Sequence, residues 1–179
     1  MGFKVLERFE TVQGTFELGL AESEHKEELL CILRSTAEQM VKEGLNQWTP
    51  SLFTSALLDE YLTEREVFLL RFDDKPAGMF TLQESDPSYW GKRNDTRFGY
   101  LHRLAVLPVY RGLNLGTTMI RFGEERVRKQ GKIGLRLDCV SHLERLNQFY
   151  QRQGYQFVDK QNMGTRKVHL YEKYLSSEK

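Results

Sequence analysis

The chain has 179 residues, enough for one domain with its own core. Its composition, 40% hydrophobic and 28% charged, is that of an ordinary globular protein, and a formal net charge of +1 provides no general field for nucleic acid or an acidic membrane, so any anion site must be local. Two cysteines, Cys31 and Cys139, make no disulfide framework and point to a reducing compartment, and no cysteine–histidine spacing suits zinc.

The start, Met1-Gly2-Phe3-Lys4, lacks the apolar run of a signal peptide, and no apolar run is long enough to span a bilayer, so a cytoplasmic protein is expected. Thr15 to Leu20 reads as a strand. Ser23 can cap a helix from about Glu24 to Glu43, with Leu29, Leu33, Ala37, Met40 and Val41 on one face and Gly44 as its stop. Ser51 can cap a second helix, with Phe53, Leu57 and Tyr61 at helical spacing. Val67 to Phe72 and Ala77 to Gln83 are strands joined by the turn signal Asp73-Asp74-Lys75-Pro76. Glu84 to Arg97 reads as a long polar loop.

Phe98 to Val106 is a strand, followed by a turn and a helix from about Leu115 to Gln130. Gly134 to Val140 is a strand, about Leu143 to Arg152 a helix stopped by Gly154, and Tyr155 to Lys160 and Val168 to Tyr174 are closing strands. The order predicts a mixed α/β (α+β) fold in a single domain over residues 1–179, with helices on both faces of a mixed sheet. Hairpins in the first half predict antiparallel pairing. The strand-helix-strand unit from Phe98 to Val140 predicts one parallel pair.

The stretch from Leu101 to Gly116 carries the chemistry. An apolar strand enters a turn, Arg111-Gly112-Leu113-Asn114-Leu115-Gly116, that opens a helix, an arrangement that gathers backbone N–H groups as a pyrophosphate requires. The turn lacks the Gly-Lys-Ser/Thr ending of a P-loop and is not G-x-G-x-x-G. By itself it also reads as a tight strand-to-helix turn that needs two glycines.

In its wider context this stretch resembles motif A of the GNAT acetyltransferase superfamily, whose usual form is Gln/Arg-x-x-Gly-x-Gly/Ala. Arg111 and Gly116 match; Asn114 stands at the middle glycine, and Asn is the residue that best tolerates positive φ after Gly. Asn147 to Tyr155, with Phe149-Tyr150 and Gly154-Tyr155, resembles the family's motif B. Leu143 stands where many members carry an Asn that contacts the cofactor, and Asn147, one turn before Tyr150, can substitute or be an exposed helix residue.

The resemblance implies a mostly antiparallel sheet of six to seven strands with a bulged, splayed fourth strand, here Phe98 to Val106. It implies acetyl-CoA as cosubstrate and no metal. Main-chain groups of Leu104, Ala105 and Val106 would meet the thioester and pantetheine, with the Leu104 N–H as oxyanion donor. Arg111, Gly112, Leu113, Asn114, Leu115, Gly116 and Thr117 would hold the pyrophosphate, with Asn147 and Tyr150 as further cofactor contacts. Tyr150 resembles the general acid that protonates the departing thiolate. His102, on a strand similar to one in which histidines accept the amine proton through water, is the candidate base, with ordered water as the alternative. Arg103 would add positive charge near the cofactor or be a solvated residue.

The family takes its acceptor at segments that here are Leu45 to Leu52, with Trp48, and Glu84 to Arg97, with Trp90. Glu84, Asp86 and Asp95 could attract a cationic amine. The expected activity is N-acetylation of a small-molecule primary amine. Acetylation of a protein N-terminus or lysine and non-catalytic CoA binding remain alternatives, and the resemblance leaves a homodimer open.

Overall fold

Eight strands and five helices follow one another among residues 2–176, which the computed structural model describes. The strands are β1 (Val5–Thr11), β2 (Gly14–Leu20), β3 (Glu66–Phe72), β4 (Lys75–Gln83), β5 (Phe98–Val106), β6 (Gly134–Val140), β7 (Gln156–Asn162) and β8 (Lys167–Tyr174). The helices are α1 (Lys26–Lys42), α2 (Ser55–Glu64), α3 (Pro87–Trp90), α4 (Leu115–Lys129) and α5 (Glu144–Arg152). The strands hydrogen-bond in the order β1-β2-β3-β4-β5-β6-β8-β7, a mixed and mostly antiparallel sheet in which β5 and β6 run parallel.

One strand exceeds the expected six to seven. β1 escapes its sequence because Glu7, Arg8 and Glu10 interrupt the apolar alternation; it is an edge strand paired only with β2, and edges carry charge. The expected loop from Glu84 to Arg97 contains a helical turn, α3, with Pro87 at its first position, and a 3-10 turn over Gly91–Arg93.

The chain groups into two compact units, one taking the residues up to Thr81 with Arg103–Met119, the other Leu82–His102 with the residues from Ile120 on. In the first, α1 follows a 3-10 turn over Ser23–His25. The expected cap Ser23 lies inside that turn, and the Glu22 N–H donates to His25 Nδ1 at 2.9 Å. α1 ends before Gly44, φ 70°, where Gly44 N–H donates to the Val41 carbonyl and Leu45 N–H to that of Met40, the paired bonds of a Schellman stop. Thr54, not Ser51, caps α2, accepting from the Leu57 N–H at 3.2 Å, a bond worth about 1 kcal/mol. Pro50 starts a 3-10 turn that consumes Ser51, and Phe53 ends it in extended backbone. Asp73 and Asp74, φ 50° and 61°, form the tight turn between β3 and β4. Leu29, Leu33, Phe53, Tyr61, Leu69 and Met79 lie in this unit's core.

In the second unit β6 pairs with β8 along its whole length, Gly134↔Tyr174 to Val140↔Val168. β5 stays with β6 only over Phe98↔Gly134 to Tyr100↔Arg136. Beyond Tyr100 the two strands part, so the strand expected to splay does so. Cys139 is buried, and burial pushes its thiol up to about 12, a packed residue and not a nucleophile. Trp90, Phe98, Tyr100, Val168 and Leu170 form this unit's core.

Candidate active site

The bulge and the turn belong to the first unit. Arg103 has φ 56°, a left-handed conformation that costs a non-glycine residue on the order of 1–3 kcal/mol and breaks the alternation of β5 where Leu104, Ala105 and Val106 follow. Ala105 is buried, while Leu104 and Val106 are half-buried. A Cβ at Gly78 on β4 would stand 2.7 Å from the Ala105 carbonyl oxygen, so glycine permits that approach. Leu107 N–H donates to the Ala77 carbonyl at 2.8 Å and anchors the strand end.

The turn then rises through Gly112, φ 85°, and Asn114, φ 58°, so Asn114 adopts the backbone expected of the glycine it replaces. The first backbone N–H bonded into α4 is that of Thr118, to the Asn114 carbonyl at 3.0 Å. Backbone N–H groups of Gly112, Leu113, Asn114, Leu115 and Gly116 have no acceptor among the described residues. A run of free amides with alternating left-handed residues, at the positive end of a helix, is an anion cradle. Thr117 lies in the first turn of α4. A cavity of about 470 Å³ is lined by Gly112, Leu113, Asn114 and, from the end of β1 and the turn after it, Glu10, Thr11 and Val12. The Arg111 side chain pairs with Glu43 at 2.9 Å, an exposed pair that solvent screens and a polyanion could displace.

The second unit carries the titratable cluster. Tyr100 and Arg136 are the last registered pair of β5 and β6, and Arg136 Nη1 donates to the Tyr100 hydroxyl at 3.0 Å. Two residues on, where the strands have parted, the same faces present His102 and Asp138. His102 Nδ1 is 3.5 Å from Asp138 Oδ1, and Nε2 is 2.8 Å from Asp86 Oδ2, so the ring stands between two carboxylates. Asp86 is 4% exposed, directly before α3, where its N–H donates to Asn94 Oδ1 at 2.7 Å. One ligand atom each from Asp86, His102 and Asp138 lies within 4.8 Å of the others, so this trio, expected from sequence to hold no metal, has the spacing for a cation.

Tyr150 is buried on α5, its ring edge-on to Phe149 and Tyr155. Burial, then the charges near Cys139 and Asp138, push its hydroxyl above the ordinary value of 10. Asn147 is neither exposed nor available to a cofactor. Its Nδ2 donates to the carbonyls of Val140 and Leu143, and its Oδ1 accepts from the Tyr171 hydroxyl at 2.7 Å and meets His169 Nδ1 at 2.9 Å. That amide is saturated, so the expected cofactor contact through Asn147 gives way to a structural role joining α5 to β6 and β8. Leu143 is the N-cap residue of α5.

The loop residues resolve differently from their expectation as amine attractors. Asp95 is tied to Arg97, whose side chain and backbone N–H hold the carboxyl at about 2. Asp86 is committed to His102, and Glu84 is exposed. Both tryptophans are buried, Trp48 6% and Trp90 3% exposed. Sequence reasoning missed Asp86 and Asp138 as partners of His102; the period-two match of β5 to β6 could have found Asp138, and no local signal marks Asp86.

The profile described as the Acetyltransferase (GNAT) family matches residues 32–155. The chain is 31% identical over 175 residues to the uncharacterized N-acetyltransferase YesJ of Bacillus subtilis (strain 168), covering 94% of this chain and 96% of that one. A GNAT-family acetyltransferase from Listeria monocytogenes 4b F2365 superposes with a TM-score of 0.79 at 26% identity, over 94% of this chain and 100% of that one. The PaiA N-acetyltransferase of Thermoplasma acidophilum, solved with coenzyme A, shares the fold with a TM-score of 0.72 at 17% identity, over 89% and 99%.

Proposed function

The chain belongs to the Acetyltransferase (GNAT) family and is an N-acyltransferase, and on that premise we propose that it moves an acetyl group from acetyl-CoA directly to the primary amine of a small molecule. The observation that carries the cosubstrate is the run of unbonded amides from Gly112 to Gly116, with positive φ at Gly112 and Asn114. It fits a pyrophosphate, and Thr117 and the Arg111 side chain, released from Glu43, add donors to the same anion.

Bound acetyl-CoA supplies an activated acetyl group and a thiolate leaving group. Leu104 N–H donates to the carbonyl oxygen as charge develops there, and Ala105 and Val106 hold the pantetheine amides through their main chain. His102 accepts, through water, the proton that the amine nitrogen loses as the N–C bond forms. Asp86 fixes the His102 tautomer by accepting from Nε2, which leaves Nδ1 as the ring's acceptor, and Asp138 Oδ1 stands 3.5 Å from that nitrogen. Tyr150 gives its hydroxyl proton to the sulfur as the C–S bond breaks. Burial keeps Tyr150 protonated across the physiological range, and the same surroundings raise the affinity of a departing thiolate for that proton. Products are an N-acetyl amide and free CoA thiol, and both side chains return to their starting protonation through water.

A proton and not a cation is assigned between His102 and Asp86, because 2.8 Å is an ordinary charge-assisted N–H···O length. No helix of the described residues is long and apolar enough to cross a membrane, and the cytoplasmic location is part of this proposal.

The test is thiol release from acetyl-CoA over a panel of small amines and peptides. Acceleration by small amines is expected. Acceleration by peptides alone would make the chain a protein acetyltransferase, and CoA binding without any acceptor-dependent release would make it a non-catalytic CoA-binding protein.

A further inference from the structure

Arg103 carries a strained backbone and a side chain that the mechanism above leaves idle. The guanidinium carbon lies 5.4 Å from the Trp48 ring centroid, 5.3 Å from that of Phe53 and 6.0 Å from that of Tyr61. All three rings are buried. Arg103 Nε donates to the Tyr61 hydroxyl at 2.9 Å. The Tyr61 ring also carries the Arg65 guanidinium, whose carbon sits 4.0 Å from the ring centroid. The aromatic cluster restricts the guanidinium and the Nε bond sets its rotation, so little freedom remains to be lost when a ligand binds.

The Nη1 and Nη2 groups, by contrast, have no acceptor and no carboxylate partner among the described residues. Elsewhere in the chain Arg71 pairs with Glu28, Arg97 with Asp95, Arg111 with Glu43 and Arg136 with Glu172. Arg103 is half-buried, immobilised and left with its fork open. A partly desolvated cation without a counter-ion is costly, and a planar fork of N–H donors matches a carboxylate in two parallel bonds.

Position along the chain says which carboxylate. Arg103 immediately precedes Leu104, the residue assigned to the thioester carbonyl, while the cofactor's phosphates are assigned to the turn from Gly112 to Gly116. The pantetheine between thioester and phosphates is uncharged, so the cofactor brings no anion to Arg103. The anion must come with the acceptor. We propose that Arg103 is a specificity-determining residue that holds a carboxylate of the acceptor, so the substrates are amines of the amino-acid type and not simple cationic amines. The inference rests on the acetyl-transfer reading and names the acceptor class within it.

The test compares thiol release from acetyl-CoA for matched acceptors, each amino acid against its decarboxylated amine and its methyl ester. With the wild-type protein the free carboxylate raises kcat/KM about 10- to 100-fold, the worth of a hydrogen-bonded charge pair. Arg103→Gln removes that preference while the KM for acetyl-CoA stays within about twofold, and Arg103→Lys, which keeps the charge without the fork, retains part of it. Tyr61→Phe, which leaves Arg103 in place and frees its rotation, also weakens the preference. A wild-type protein indifferent to the carboxylate, a preference that survives Arg103→Gln, or an Arg103→Gln effect confined to acetyl-CoA overturns the inference while leaving acetyl transfer intact. Absence of acceptor-dependent release with every amine overturns the transfer reading and this inference together.

Discussion

Asp86 Oδ2 and His102 Nε2 lie 2.8 Å apart, and the carboxylate is 4% exposed. A buried carboxylate against one ring nitrogen, with Asp138 at 3.5 Å from the other, gives His102 a defined orientation. Asp86 acts through His102 and touches no substrate in the proposed reaction, so it is a positioning residue.

Asp86→Asn keeps the shape and removes the charge. It should lower kcat about 10- to 100-fold, less than the roughly 100- to 10,000-fold that an acid–base group itself contributes, and leave the KM for acetyl-CoA nearly unchanged. The split between kcat and KM is the readout, since the substitution leaves one ring nitrogen of His102 without its carboxylate partner. A loss of thermal stability with kcat unchanged would reduce Asp86 to a structural residue. Because Asp86, His102 and Asp138 have the spacing for a cation, the same assays are run with EDTA, which should leave the rate unchanged. Activity lost to the chelator and restored by a divalent metal would replace the proton between them by a metal.

Tyr150 gives a pH prediction with a definite sign. Burial raises its hydroxyl pKa above 10, so the protonated acid is the dominant form at every pH up to 10 and its ionisation cannot impose an alkaline decline below that. The kcat profile should rise with pH as the acceptor amine loses its proton and then stay level. Tyr150→Phe should reduce kcat by two orders of magnitude or so while leaving CoA affinity within about twofold. Equal losses in kcat and CoA affinity would make Tyr150 a cofactor contact and not an acid.

Asn114 tests the cradle. At φ 58° glycine is more comfortable than asparagine and alanine less so. Asn114→Gly should leave the KM for acetyl-CoA within about twofold, whereas Asn114→Val, for which this φ is an outlier, should raise it and cost about 1–2 kcal/mol of stability. A valine variant with unchanged KM would show that the amides of Gly112 to Gly116 do not meet the cofactor.

These three sites differ in how far the sequence reveals them. The turn is local: its glycines and the apolar strand before it are adjacent in the chain, so its shape is readable, including the positive φ at Asn114. The strand from Gly134 to Val140 is equally plain, because Leu135, Leu137 and Cys139 alternate with Arg136 and Asp138 at the period of a strand. Ser23 and Ser51 are good capping residues by type, yet each falls inside a 3-10 turn, and Thr54 and the Glu22–His25 pair act in their place. Such choices depend on where the chain enters the helix, which residue type alone does not specify. Asp86, 16 positions before His102, looks like any loop acid until α3 and the splay of β5 bring it to the ring. Asn147 looks like a surface amide until β6 and β8 close over it. Arg103 reads as a solvated charge until its three rings are assembled around it. In each of these three cases the missing information is pairing over long sequence separation, which periodicity does not encode.

The network around Asn147 makes the last prediction, on stability. His169 Nδ1 donates to Asn147 Oδ1 at 2.9 Å, and burial first, then the charge of Lys160, lowers its pKa below the ordinary 6.5. In the unfolded chain the ring takes up its proton near 6.5; in the folded protein it does so only at lower pH. Between those two values the unfolded state holds more protons, so the stability of the native state rises with pH there. The contribution is complete above the unfolded value, is lost as pH falls toward the folded one, and changes no further below it. The melting temperature should therefore fall on acidification from pH 7 to about 5, and His169→Gln, which keeps a donor for Asn147 and cannot titrate, should show a shallower fall. Because every other ionisable group is common to both proteins, the difference between the two slopes reports His169 alone. Parallel slopes would mean that the ring binds its proton equally in both states, and Asn147 would then be held by Tyr171, Val140 and Leu143 without help from a neutral histidine.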